Sequence, residues 1–184
     1  MTLLAEVVAC LQRGGSPFAM IGATAMAVMG ASRSTQDLDL LTTDRAVLKA
    51  AFWSSLEARD AAVEIRWGDI QDPLAGVVRV TREGDRPVDV IVGEGPWQER
   101  ILADASPRSV ADVDVPVVDE VGLVLLKLYA GGPQDRWDIE QLLTQAADRE
   151  VLERGVEERV SDLPRRCGNL WRRMTQSAED PGNE

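Results

Sequence analysis

Residues 36–41, QDLDLL, narrow the possibilities for this chain more than any other segment. They alternate as a strand with one buried side, Asp37, Asp39 and Leu41 on one face and Leu38 and Leu40 on the other. Aspartate is poorly suited to strands, so a pair wedged among leucines calls for a reason. Carboxylates two residues apart on a strand share a face, with Cα atoms roughly 6 to 7 Å apart, and their oxygens can converge on one or two cations. A half-exposed strand with aspartates on its solvent side is the plainer alternative. The pattern returns at residues 87–92, where Asp89 stands alone in an apolar run and can supply a third carboxylate.

Around these segments the chain reads as an α+β domain with a small mixed sheet. Hydrophobic residues make up 45% and aromatics only 4%, so the core is aliphatic. The spacing of Leu3, Leu4, Val7, Val8 and Leu11 predicts an amphipathic first helix. A short strand over 18–21 ends at Gly22, and a helix of small residues follows over 23–29, closed by Gly30. Thr43 or Asp44 is placed to cap a helix running to about residue 59. Further strands are expected over 63–67, 76–82 and 87–92, a helix over 96–103, and an extended piece over 113–118 broken by Pro116. The remaining chain is helical: 120–130, ended by Gly131-Gly132; then about 133–147, opened by Pro133; then more helix to about 173. These elements predict a core over 1–147, a helical appendage over 148–175 and a disordered polar tail over 176–184.

The chain has no histidine, which removes imidazole bases and the usual zinc and copper ligands, so any metal must sit on oxygen. Magnesium, or manganese in its place, suits paired carboxylates that share a cation with substrate phosphates. The two cysteines, Cys10 and Cys167, are far apart and read as packed thiols. A net charge of −11 opposes non-specific adsorption to nucleic acid. No apolar stretch is long enough to span a membrane and the N-terminal segment lacks a basic start, so a cytoplasmic location is expected.

Gly22, at a strand-to-helix turn, allows close approach to unpaired backbone N–H groups, an arrangement that binds phosphate. Residues 20–42, MIGATAMAVMGASRSTQDLDLLT, resemble the signature of the polymerase-beta-like nucleotidyltransferase superfamily, and within it the branch of AbiEii-type toxins and related small bacterial proteins. Gly22, Ala25, Arg33, Thr35, Asp37, Asp39 and Leu40 carry the match, which resumes at Val88-Asp89-Val90 and at residues 125–143, LLKLYAGGPQDRWDIEQLL. Lys127 is the only charge in the apolar run 121–130, and it calls for either an anionic partner or an exit to water. Asp138 falls on the domain-facing stripe of the next helix, whereas Asp135 suits the dipole of that helix's first turn.

The resemblance implies transfer of a nucleoside monophosphate from a nucleoside triphosphate to an acceptor hydroxyl. Asp37, Asp39 and Asp89 would hold magnesium, Gly22, Ala23, Arg33 and Thr35 would receive the nucleotide, and Lys127 and Asp138 would complete the site. Acceptors consistent with it are a tRNA 3′ end or other RNA, a protein side chain, or a small molecule. Residues 164–174, with Arg165, Arg166, Arg172, Arg173 and Trp171, are either an RNA grip or a helix face with solvated arginines. Ala23 replaces a second glycine or serine and Gln134 stands where a basic residue is common. These departures motivate a second expectation, a catalytically silent binding module, for example one that joins an antitoxin or other protein partner.

Overall fold

The computed structural model describes residues 1–31, 35–68 and 74–176. Arg33 and the expected tail beyond residue 176 lie outside the described residues. The chain divides into two compact units, Met1–Val28 with Ser32–Asp119, and Met29–Ala31 with Glu120–Glu184.

The first unit is built on a seven-stranded mixed sheet: β1 Phe18–Ile21, β2 Leu38–Thr42, β3 Ala62–Trp67, β4 Gly76–Thr81, β5 Val88–Val92, β6 Ser106–Val110 and β7 Val113–Val117, in the order β3-β4-β5-β2-β1-β7-β6. The predicted α+β class is what is found. Central strands β2 and β5 run parallel, with β1 and β4 antiparallel outside them. Period-two alternation gives the sheet two unlike sides. Met20, Leu40, Val90 and Val78 are aligned across four strands and fully buried. Helix α1, Leu3–Gly14, buries its apolar stripe within the same unit; Thr2 Oγ1 caps its start and Gly15, at φ +67°, ends it. Helices α2, Gly22–Val28, and α4, Pro96–Ala103, follow β1 and β5.

Three local expectations differ from what forms. In place of one helix over 44–59 there are two 3₁₀ turns, Arg45–Leu48 and Ala50–Trp53, and a short α3, Ser54–Glu57. Asp44 does cap the first turn, its Oδ1 accepting from Ala46 N. The backbone then turns extended at Lys49, φ −101° and ψ 126°, and the Val47 carbonyl accepts from the buried Trp53 indole at 2.6 Å. Pro116 does not break its strand either. It faces Pro107 across the β6–β7 hairpin, where neither ring nitrogen is needed as a donor between the two strands. Strand β6 itself carries no apolar alternation to announce it; the hairpin turn is made by Ala111 and Asp112, both at positive φ. Finally, β2 begins at Leu38, leaving Asp37 just outside, because Leu38 N donates to the Pro87 carbonyl and Pro87 has no N–H with which to extend the ladder.

The second unit consists of α5 Glu120–Ala130, α6 Pro133–Gln145, α7 Arg149–Arg159 and α8 Arg165–Gln176, with α5 packed on the other three. Leu123, Val124, Leu125 and Leu128 of α5 are buried with Ile139, Leu142, Leu152, Val156, Leu170 and Trp171. Both cysteines are free and buried. Among the described residues no helix is long and apolar enough to cross a membrane.

Candidate active site

The other side of the sheet carries a polar row beside the apolar Ala19, Leu41, Ile91 and Val77. Ladder register aligns Ile21, Asp39, Asp89, Arg79 and Glu64 across β1, β2, β5, β4 and β3, one residue per strand. Asp39 and Asp89 are therefore direct neighbours on adjacent parallel strands, about 4.8 Å apart along the hydrogen-bonding direction. The two aspartates came from segments 50 residues apart in the chain, and strand pairing brings them together.

Gly22 sits against this row. Its φ is +67°, and a Cβ placed on it would lie 2.2 Å from Asp39 Oδ2. Any larger residue would displace the carboxylate, so the glycine lets the β1–α2 turn and the Asp39 side chain occupy adjoining space. Ala23 follows, its side chain buried in α2. Thr35 donates from Oγ1 to the Asp37 carbonyl at 3.2 Å. Arg86, which the sequence reading did not single out, holds the same loop: Nε donates to Gln36 O at 3.2 Å, and Nη2 to Thr35 O at 3.3 Å and Asp37 O at 3.1 Å.

Arg79 is the second residue that went unremarked. Its Nη1 donates to Asp89 Oδ2 at 2.8 Å and its Nη2 to Asp37 Oδ1 at 3.2 Å, so one guanidinium bridges two of the three carboxylates. A usable signal was present: Arg79 is a lone charge in GVVRVT, as Asp89 is in VDVIV. The remaining Asp89 oxygen, Oδ1, is buried with no hydrogen-bond partner. Leaving such an acceptor unsatisfied costs about 1–3 kcal/mol, more when it is charged. Burial pushes the Asp89 carboxyl above its ordinary range; Arg79 pulls it back only in part, and the charge of Asp37 adds to the rise.

These features fit a hard divalent cation. The donors are all carboxylate oxygens, one of them is buried and unpartnered, and the glycine cradle keeps Asp39 in place. Among the described residues no three acidic, cysteine or histidine side chains already converge as a metal cage, and the Arg79 guanidinium stands between Asp37 and Asp89.

Lys127 and Asp138 belong to the second unit, where the open question about Lys127 resolves toward an anionic partner. Lys127 Nζ lies 2.6 Å from Asp138 Oδ2 and 3.1 Å from Asp135 Oδ1. Asp138 is fully buried and also accepts from Gln134 Nε2 at 3.2 Å, so the atypical glutamine has a structural partner. Asp135 accepts from Gly132 N at 3.0 Å, capping α6 as expected while it pairs with Lys127. On α8, Trp171 is buried while Arg165, Arg166, Arg172 and Arg173 are exposed. The tryptophan ring is therefore not presented beside the arginines for stacking on a base. Arg166 instead lies over the Tyr129 ring, 5.2 Å from its centroid.

No protein-family model matches the chain, and no curated protein matches it in sequence. Solved structures do. The solution structure of the antibiotic-resistance factor ANT(2'')-Ia aligns with a TM-score of 0.54 and 15% identity, over 85% of this chain and 88% of that one. The crystal structure of ANT(2'')-Ia in complex with adenylyl-2''-tobramycin gives a TM-score of 0.52 and 14% identity, over 86% and 95%. An antigenic nucleotidyltransferase-like protein from Paracoccidioides brasiliensis gives 0.50 and 15%, over 94% and 90%. At such identities the likeness concerns architecture alone: this chain shares the fold of these nucleotidyltransferase-like structures.

Proposed function

We propose that the protein transfers a nucleoside monophosphate from a nucleoside triphosphate to an acceptor hydroxyl, with pyrophosphate leaving. The observation that carries this reading is the pairing of Asp39 with Asp89 on adjacent strands, with Asp89 Oδ1 buried and unpartnered. Asp39 and Asp89, joined by Asp37, would hold magnesium or manganese, which when bound neutralises triphosphate charge and orients the reacting oxygens. Asp89 would also stand beside the acceptor hydroxyl and help activate it. In this reading the backbone of Gly22 and Ala23, with Thr35 and Arg33, would receive the phosphates. Lys127 and Asp138 enter through the superfamily resemblance, and their mutual pairing accounts for their burial within their own unit.

For the acceptor, the net charge of −11 and the buried Trp171 favour a small neutral or cationic hydroxyl compound over RNA. The adenylyl-2''-tobramycin complex of a fold neighbour points the same way. A tRNA 3′ end, as the resemblance to AbiEii-type toxins implies, is the second acceptor to test. A silent binding module, engaged with an antitoxin or other protein, is favoured by one observation, the occupation of Asp37 and Asp89 by Arg79.

The test is incubation with each labelled triphosphate, magnesium, and either total RNA or a panel of hydroxylated small molecules including aminoglycosides. Labelled product is expected with one acceptor class, reduced at least about 100-fold by Asp39→Asn, in line with the loss of a charge-stabilising group. Full magnesium-dependent transfer by that variant, still folded by circular dichroism, would overturn the assignment.

A further inference from the structure

We infer that Arg79 is an internal counter-ion that competes with divalent cations for Asp37 and Asp89, so that cation entry requires the guanidinium to leave. This rests on the carboxylate face being a cation site, as proposed above. Arg79 is placed by the β4–β5 ladder directly opposite Asp89, and its two terminal nitrogens reach one oxygen of each carboxylate. A guanidinium there supplies one positive charge and satisfies one oxygen of each partner. It does not reach Asp89 Oδ1, which stays buried and unpartnered. A small dication brings twice that charge and can coordinate oxygens of Asp89 and its neighbours together, whereas Arg79 engages only one oxygen of each partner here.

The side chain also has somewhere to go. Arg79 is 35% exposed, so the route to water is open. On its other flank its register partner is Glu64 of β3, an exposed carboxylate on the same side of the sheet. Glu64 is engaged by Arg66 at 2.8 Å, and Arg79 adds a second, weaker pull that helps hold the Glu64 carboxyl below its usual range. A rotation about the Arg79 side chain would exchange Asp89 for Glu64 without moving the backbone. The plainer reading, a static cross-strand ion pair that ties β4 to β5, predicts that cation affinity does not depend on Arg79.

The two are separated by measuring Mn²⁺ binding to the full-length, nucleotide-free protein through the electron paramagnetic resonance signal of the free ion. Wild type, Arg79→Met, Arg79→Lys and Asp39→Asn are compared, each checked for folding by circular dichroism. Arg79→Met is expected to bind Mn²⁺ at least about 5-fold more tightly than wild type, the lower end of typical coupling between linked binding events. Arg79→Lys, which keeps a charge but cannot fork, is expected in between. It also serves alone should Arg79→Met fail to fold, because tightening relative to wild type is required of it too. Unchanged or weaker binding in the Arg79 variants, with Asp39→Asn still weakening the ion's binding, would overturn the counter-ion role and leave the cation site standing. Identical weak binding in all four proteins would also overturn the counter-ion role, while the proposed reaction stands or falls by the label-transfer assay, in which the triphosphate supplies the remaining ligands.

Discussion

Gly22 shows how little a single residue can change here. A methyl group at that position meets two penalties at once: about 1–2 kcal/mol for a left-handed backbone at an L-residue, and about 1–3 kcal/mol for overpacking against Asp39. Gly22→Ala should therefore destabilise the protein by about 2–5 kcal/mol in urea denaturation. If it folds, it should lose magnesium-dependent thermal stabilisation, since Asp39 must move. A Gly22→Ala variant as stable as wild type would contradict the contact. Asp39 and Asp89 stood out in the sequence because each breaks the local rule for its strand, whereas Gly22, ordinary at a turn, drew its weight from the paired aspartates that follow. Arg79 gave only the weaker signal of a lone charge in an apolar strand, and Arg86, after a turn, gave none; the meaning of each depends on which carboxylate or carbonyl the fold sets opposite it.

Individual strands and helices were legible where periodicity is strong and obscure where tertiary bonds overrule it. The valine-rich strands and α5 follow directly from their apolar spacing. The helix expected after Asp44 gave way to two 3₁₀ turns parted by extended backbone at Lys49, with the Trp53 indole bonded back to the Val47 carbonyl. Strand β6, with proline, arginine and serine in SPRSV, exists only through its partner. The α5–α6 pair carries a testable energy. Asp138 is fully buried, so Lys127→Met, which strands its charge, should cost about 3–5 kcal/mol in chemical denaturation. Lys127→Met with Asp138→Leu should recover most of that loss. Equal instability in single and double variants would show that packing, rather than charge, governs the pair.

Taken as a whole, the chain is strongly acidic, and among the described residues a concentrated group of exposed arginines lies on α8. If RNA is not the acceptor, replacing Arg165, Arg166, Arg172 and Arg173 together by glutamine should leave filter retention of total RNA unchanged at physiological salt. Retention that is salt-sensitive in wild type and lost in the variant would reinstate RNA. Fold class could be read from the alternation of apolar strands and helices alone. Strand order could not, because nothing local says that β2 pairs with β5 across an intervening hairpin.

The aligned row from Asp39 through Asp89 and Arg79 also bears on how reliably the sheet assembles. Neighbouring positions on these strands, Leu40, Val90 and Val78, form the opposite, fully buried row. A slip of one residue in any central strand would exchange the two rows and drive charged groups into the aliphatic layer. The residues assigned to chemistry thus forbid the commonest pairing error of a valine-rich sheet, and a variant with Asp39, Arg79 and Asp89 all made apolar would lose that protection against misfolding along with the site.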